Sequence, residues 1–127
     1  AQSDDDGAAV IGPPEITTAF DGLSREYDWK VLATGPGHGI QTRTGRLIVP
    51  AWLSLGTEGN AHRPSRVTTV FSDDHGKTWT AGTLVPASPD VVNPSESALA
   101  ELGDGRIMLN MRHAGPKRLR AVTTSPD

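Results

Sequence analysis

The sequence predicts an all-β fold built from repeated antiparallel units, and three observations carry that expectation. Two motifs recur in the same order along the chain, the mark of an array of similar supersecondary units. Glycine and proline are abundant, 14 and 10 of 127 residues, which suits short strands and turns more than long helices. The apolar runs are brief, rich in β-branched residues and closed by Ser-Asp or Gly-Asp clusters, as strands are.

The repeats fix the organisation. "TGRLIVPAW" (Thr44–Trp52) aligns with "DGRIMLNMR" (Asp104–Arg112) at an offset of 60. The strand before each Ser-Asp cluster aligns at an offset of 53, so that Ser125 and Asp127 of "TTSPD" match Ser72 and Asp74. "SDDDGAAV" (Ser3–Val10) carries Ser, Asp and Gly at the same spacing without the Thr-Trp end. The difference of seven residues puts a longer loop within Leu53–Ser65 than in the corresponding "HAGPKR". Both ends of the sequence fall inside a Ser-Asp cluster. The expected layout is therefore a piece of a larger repeat protein: the end of one unit and a connection (1–27), one full unit (28–90), and the first three strands of the next (91–127).

In chain order, "TTAFDGLSREYDW" is the best helical candidate, but Gly22 sits in its middle, so no more than a turn or two is expected. "GPGHG" (Gly35–Gly39) leads into the first strand of the full unit. "RVTTVF" reads as the third strand and "SDDHGKTW" (Ser72–Trp79) as its turn. Ser and Asp side chains can bond nearby backbone N–H groups there, and Gly76 can supply a positive φ. Trp79 then needs burial, expected between units. Asp73, Asp74 and His75 are read as parts of this structural turn, not as catalytic groups.

In the next unit, "ESALAEL" (Glu96–Leu102) and "RIMLNMRH" (Arg106–His113) are strands joined by Gly103-Asp104-Gly105. A three-residue loop ending in a left-handed glycine pairs Leu102 with Arg106 and sets Glu96 opposite Arg112. Opposed residues of this kind share a face, with Cβ atoms about 4.5–5.5 Å apart. A two-residue Asp-Gly turn would instead set Glu96 against His113. Either hairpin sorts the edges: Glu96, Arg112, the loop 53–65 and "GPGHG" at one, the Ser-Asp clusters and the Gly-Asp-Gly turn at the other.

Composition excludes several function classes. The net charge is −3 and there is no basic patch, so nucleic acid is not an expected partner. No run of about 18 apolar residues suggests a membrane span, and "AQSDDDG" holds no hydrophobic leader. There is no cysteine, which removes disulfides and thiolate sites but does not fix the compartment. The four histidines, His38, His62, His75 and His113, lack ligand spacing. "SDDDG" and "SDDHG" lack the alternation and terminal glutamate of a calcium loop. No metal or cofactor is expected.

"SDDHGKTW" resembles the Asp box of sialidases, Ser/Thr-x-Asp-x-Gly-x-Thr-Trp. "GPGHGIQTRTGRLIVPAW" and "NPSESALAELGDGRIMLNMR" are similar to the segments flanking it in that family, and the resemblance runs over nearly the whole chain. It implies part of a six-bladed β-propeller of four-stranded antiparallel blades. It also implies an exo-α-sialidase, hydrolysing terminal α-ketosidic sialic acids with retention. The substrate carboxylate repels an acidic nucleophile, so sialidases use tyrosine, an exception among glycosidases. A phenol of ordinary pKa about 10 needs a base. A separate aspartate is the acid/base, and three arginines hold the carboxylate, where a planar guanidinium binds bidentately.

Carried over, Glu96 matches the glutamate that activates the tyrosine, and Arg112 matches one of the three arginines. Glu101 is the rival for the base, on the opposite strand face by parity. Trp52 aligns with Arg112 one blade earlier and is a candidate substrate contact. Tyr27, the single tyrosine, lies between blades and is not assigned as nucleophile. That group, the acid/base aspartate and the other arginines are expected in the remaining blades of the parent, so this chain alone should be inactive. Glu58, His62 and Arg63 of the long loop are candidates for aglycone contact. His38 reads as a backbone-shaping residue, and Arg66, Lys77, Lys117, Arg118 and Arg120 as solvated faces. The rival function is a non-catalytic Asp-box propeller that binds glycan or protein, which has no need of adjacent Glu96 and Arg112.

Overall fold

The computed structural model describes residues 3, 5–10, 12, 14–57, 59–117 and 119–126. Asp127, Glu58 and Arg118, named above, lie outside the described residues. Among the described residues, a 3₁₀ segment (Thr17–Arg25) precedes eight strands: β1 (Val31–Thr34), β2 (Ile40–Gln41), β3 (Leu47–Ser54), β4 (Ser65–Ser72), β5 (Thr80–Ala81), β6 (Ser97–Glu101), β7 (Ile107–Met111) and β8 (Ala121–Ser125). All named pairings are antiparallel. β1 and β2 share one side of β3, followed by β4 and β5; β6, β7 and β8 form a second sheet.

The sequence repeat is a structural repeat. Leu47 pairs with Ser72, and Ile107 pairs with Ser125. Gly45 and Gly105 turn into their strands at φ +94° and +89°. Between the equivalent pairs Ala51↔Thr68 and Met111↔Ala121 lie sixteen and nine residues, which is the difference of seven. The extra residues add three pairs to the first hairpin: Trp52↔Val67, Leu53↔Arg66 and Ser54↔Ser65. At about 3.4 Å per residue, that carries the loop 55–64 roughly 10 Å beyond its counterpart.

Two expectations need correction. The segment before β1 winds nine residues of 3₁₀ helix, longer than the turn or two expected. Phe20, 2% exposed, is its buried anchor, so tertiary burial offsets the cost of Gly22. "GPGHG" does not precede the first strand but interrupts it. Thr34 pairs with Ala51 and Ile40 with Ile48, so five residues on this strand face two on β3. The interruption lets the sheets approach: a Cβ on Gly35 would lie 2.5 Å from the Ser97 carbonyl oxygen of β6.

Strand alternation sends β3 and β4 side chains to two clusters. Ile48, Trp52 and Val67 meet Leu99, Ile107, Leu109 and Met111 between the sheets. Ala51, Leu53, Val70, Leu84 and Phe20 form the other cluster. Trp79 packs against the latter, which joins the 3₁₀ segment to β3 and β4.

The Ser-Asp clusters that begin at Ser3 and at Ser72 are the hydrogen-bonded turns expected. The Asp74 carboxylate accepts from the Ser72 hydroxyl and from both the N–H and the O–H of Thr78 at 2.6–2.8 Å. Ser72 Oγ accepts from the Gly76 N–H at 2.8 Å. His75 and Gly76 take φ +60° and +85°. Ser3, Asp5, Gly7 and Ala9 reproduce the pattern: Asp5 accepts from Ser3 Oγ and the Ala9 N–H, each at 2.8 Å. The bonds from Thr78, then from Ser72, hold the Asp74 carboxyl far below the usual carboxylate range.

Candidate functional site

The Gly103–Gly105 turn decides the register. Leu102 N–H donates to the Arg106 carbonyl at 2.8 Å, and β6 and β7 pair from Glu101↔Ile107 to Ser97↔Met111. The next rung is Glu96 against Arg112, where the Arg112 N–H donates to the Glu96 carbonyl at 2.8 Å. The side chains meet on one face, with Arg112 Nη1 3.4 Å from Glu96 Oε2. The two-residue turn that would have set Glu96 against His113 is not formed. Glu101 lies at the other end of β6, paired with Ile107. There the Arg43 N–H and guanidinium hold its carboxyl below the usual range, in that order.

Glu96 and Arg112 line a cleft of about 550 Å³ together with Trp52, Asn60, His62 and Arg63. The pair is open to solvent, its side chains 47% and 60% exposed. At 3.4 Å the contact exceeds the 2.7–2.9 Å of a tight charge-assisted bond. An exposed pair of this kind contributes about 0–1 kcal/mol to stability. Carboxylate and guanidinium thus both keep free bonding capacity toward the cleft: one acceptor, one planar multiple donor.

Trp52 occupies the Arg112 position of the preceding unit and pairs with Ala33 where Arg112 pairs with Glu96. It is only 6% exposed: it packs into the inter-sheet cluster, and the His62 ring stacks on it at 5.2 Å. Trp52 therefore contributes chiefly to inter-sheet packing, with one edge on the cleft. The described residues of the loop 55–64 are tied by backbone hydrogen bonds. Leu55 and Thr57 N–H groups donate to Pro64 and Arg63 carbonyls at 3.1 Å, and Arg63 N–H to Asn60 at 3.2 Å. The Tyr27 hydroxyl donates to the Pro64 carbonyl at 2.6 Å, and burial pushes its pKa up. His38 stays at the backbone, its Nδ1 3.0 Å from the Gly39 carbonyl.

Arg120 and Arg66 are not the plain solvated faces the sequence suggested. Arg66 donates to the Val85 carbonyl at 2.9 Å. Arg120 binds the Asn110 side chain through Nε, and through Nη2 the Asn110 carbonyl at 3.1 Å and the Glu96 carbonyl at 3.5 Å. It thereby ties β7 to the start of β6 beside the Glu96–Arg112 rung. The signal was present: the offsets 60 and 53 carry the pair Trp52↔Val67 onto Arg112 and Arg120. Among the described residues, no group of three or more His, Cys, Asp or Glu is placed to hold a metal ion. Among the same residues, no helix is long and apolar enough to cross a membrane.

The family model for the BNR repeat-like domain matches residues 1–127. The chain is 37% identical over 106 residues to human Sialidase-4, covering 76% of this chain and 21% of that protein. It is 36% identical over 109 residues to the sialidase of Micromonospora viridifaciens, covering 83% of this chain and 15% of the relative. It is 35% identical over 132 residues to human Sialidase-3, covering 98% of this chain and 30% of that protein. The chain thus spans between about a seventh and a third of the length of these relatives. A crystal structure of a protein of unknown function from Dyadobacter fermentans superposes at a TM-score of 0.61 with 22% identity, over 73% of this chain and 24% of that one. That last likeness concerns the fold alone.

Proposed function

The chain belongs to the BNR repeat-like domain family, and from that premise we propose that it is part of an exo-α-sialidase, on a six-bladed propeller divided here at 1–27, 28–90 and 91–127. The observation that carries the reading is the rung Glu96–Arg112, a carboxylate and a guanidinium 3.4 Å apart and open to one cleft. Arg112 binds the carboxylate of a terminal sialic acid. Glu96 takes the proton of a tyrosine contributed from elsewhere in the parent protein. The phenolate attacks the anomeric carbon as the glycosidic oxygen leaves, protonated by an aspartate also contributed from elsewhere. Water then cleaves the glycosyl-tyrosine bond, with overall retention. Trp52 walls the side of the cleft against which the sugar lies. No metal or cofactor takes part.

The test is release of fluorophore from an aryl α-sialoside by the full-length protein, wild type against Glu96→Gln and Arg112→Ala. Collapse of kcat/KM in both, about 10²-fold or more, supports both roles. Turnover untouched by either change keeps a sialidase and removes this site. No turnover from the folded, complete protein leaves a binding propeller, with Glu96–Arg112 a structural ion pair.

A further inference from the structure

The hairpin that distinguishes the first unit ends over the cleft. Its three additional pairs carry Asn60, His62 and Arg63 to the wall facing Glu96 and Arg112. The fold does not need them, since the next sheet closes the same connection with seven residues fewer. The tip is nonetheless fixed. Both backbone groups of Arg63 are hydrogen-bonded within the loop. The neighbouring His62 ring rests on Trp52, and Tyr27 pins Pro64.

The charges in the cleft do not balance. Arg112 faces Glu96. Arg63 is exposed, and among the described residues its guanidinium has no carboxylate or other hydrogen-bonding partner. A rigid backbone that presents an unpaired guanidinium to a cleft has already met part of the ordering cost of binding an anion.

We propose that Arg63 forms a second anion subsite, one that selects glycans carrying a negative group, sulfate or carboxylate, on the residue next to the terminal sugar acid. The proposal rests on the sialidase reading above and extends it from the sugar to its aglycone. Arg112 takes the carboxylate of the terminal sugar. Arg63, on the overhanging wall, takes the anion of the following residue, with Asn60 and His62 beside it as polar contacts.

The experiment compares two α-sialosides of one linkage, with galactose or 6-sulfogalactose as aglycone. It uses full-length wild type, Arg63→Ala and Arg63→Lys. The readout is the ratio of kcat/KM for the sulfated over the unsulfated substrate. Wild type should favour the sulfated one about tenfold, the scale of one charge-assisted bond on an exposed surface. Arg63→Ala should bring the ratio to about one, and Arg63→Lys should restore part of it. The ratio should shrink as salt rises from about 0.05 to about 0.5 M. Equal turnover of the two substrates by wild type, or a preference that survives Arg63→Ala, overturns the subsite. If neither substrate is turned over, the hydrolase reading falls instead. Binding of the two sialosides, followed by tryptophan fluorescence, then decides: a preference abolished by Arg63→Ala retains the subsite, and equal affinities end it.

Discussion

The imidazole of His62 lies across the indole of Trp52, with ring centroids 5.2 Å apart and planes inclined at 27°. The contact joins the tip of an exposed hairpin to a residue of the inter-sheet core. Replacing His62 by Ala should uncover Trp52 and increase its quenching by acrylamide. It should also lower stability by about 0.5–1.5 kcal/mol, the range of a ring pair beyond area burial. Unchanged quenching would mean that the loop holds its place without the stack.

Gly35 and Gly37 make a matched pair. A Cβ on Gly35 would lie 2.5 Å from the Ser97 carbonyl oxygen and 3.0 Å from Pro50 Cγ, whereas one on Gly37 meets nothing nearer than 3.4 Å. Gly35→Ala should cost about 1–3 kcal/mol by forcing β6 away from the first sheet. Because Ser97 adjoins Glu96, activity should fall as well. Gly37→Ala should melt like wild type. Thermal melts of the two variants, with kcat/KM on an aryl sialoside, check both.

Asp74 acts through its turn. Its carboxyl titrates lower in the folded protein than in the unfolded chain, where the ordinary value is about 3.9. Its contribution is therefore fully present above the unfolded value and is lost as pH falls toward the folded one. Asp74→Asn should melt below wild type at pH near 7, and the gap should narrow at about pH 3. The surviving folded protein should keep its kcat/KM, because the turn lies at the strand ends away from Glu96.

Arg120 should act as a positioning residue for the proposed reaction, through its bonds to Asn110 and the Glu96 carbonyl. Arg120→Ala should lower kcat/KM on an aryl sialoside about tenfold, by freeing Asn110 and the start of β6. Arg120→Lys should not restore it, since an ammonium cannot bridge those oxygens as the planar fork does. Identical kinetics in wild type and Arg120→Ala would reduce Arg120 to a surface contact.

Much of this was legible because turn chemistry is local. Gly103-Asp104-Gly105 fixes a register, the register opposes Glu96 and Arg112, and all three follow from residue order. The internal repeat supplied the second sheet and the length of the overhanging hairpin. What escaped depends on tertiary context. Gly35 and Gly37 looked like a lead into the strand, because nothing in "GPGHG" says that the opposite strand already pairs before it. The 3₁₀ segment owes its length to the burial of Phe20, not to propensity. Arg120 was hidden by its exposure: a charged residue before a strand reads as solvent-facing until Asn110 is known to lie beneath it.

The separation of the strand ends has a practical side. The Gly103–Gly105 turn stands at the end of the β6–β7 hairpin remote from Glu96, and Asp104 at its tip is exposed. The chain contains no cysteine. One thiol introduced as Asp104→Cys is therefore a unique handle within these residues. Grafted to a bead or sensor chip through that sulfur, the molecule would stand with its cleft turned outward to the flowing sample.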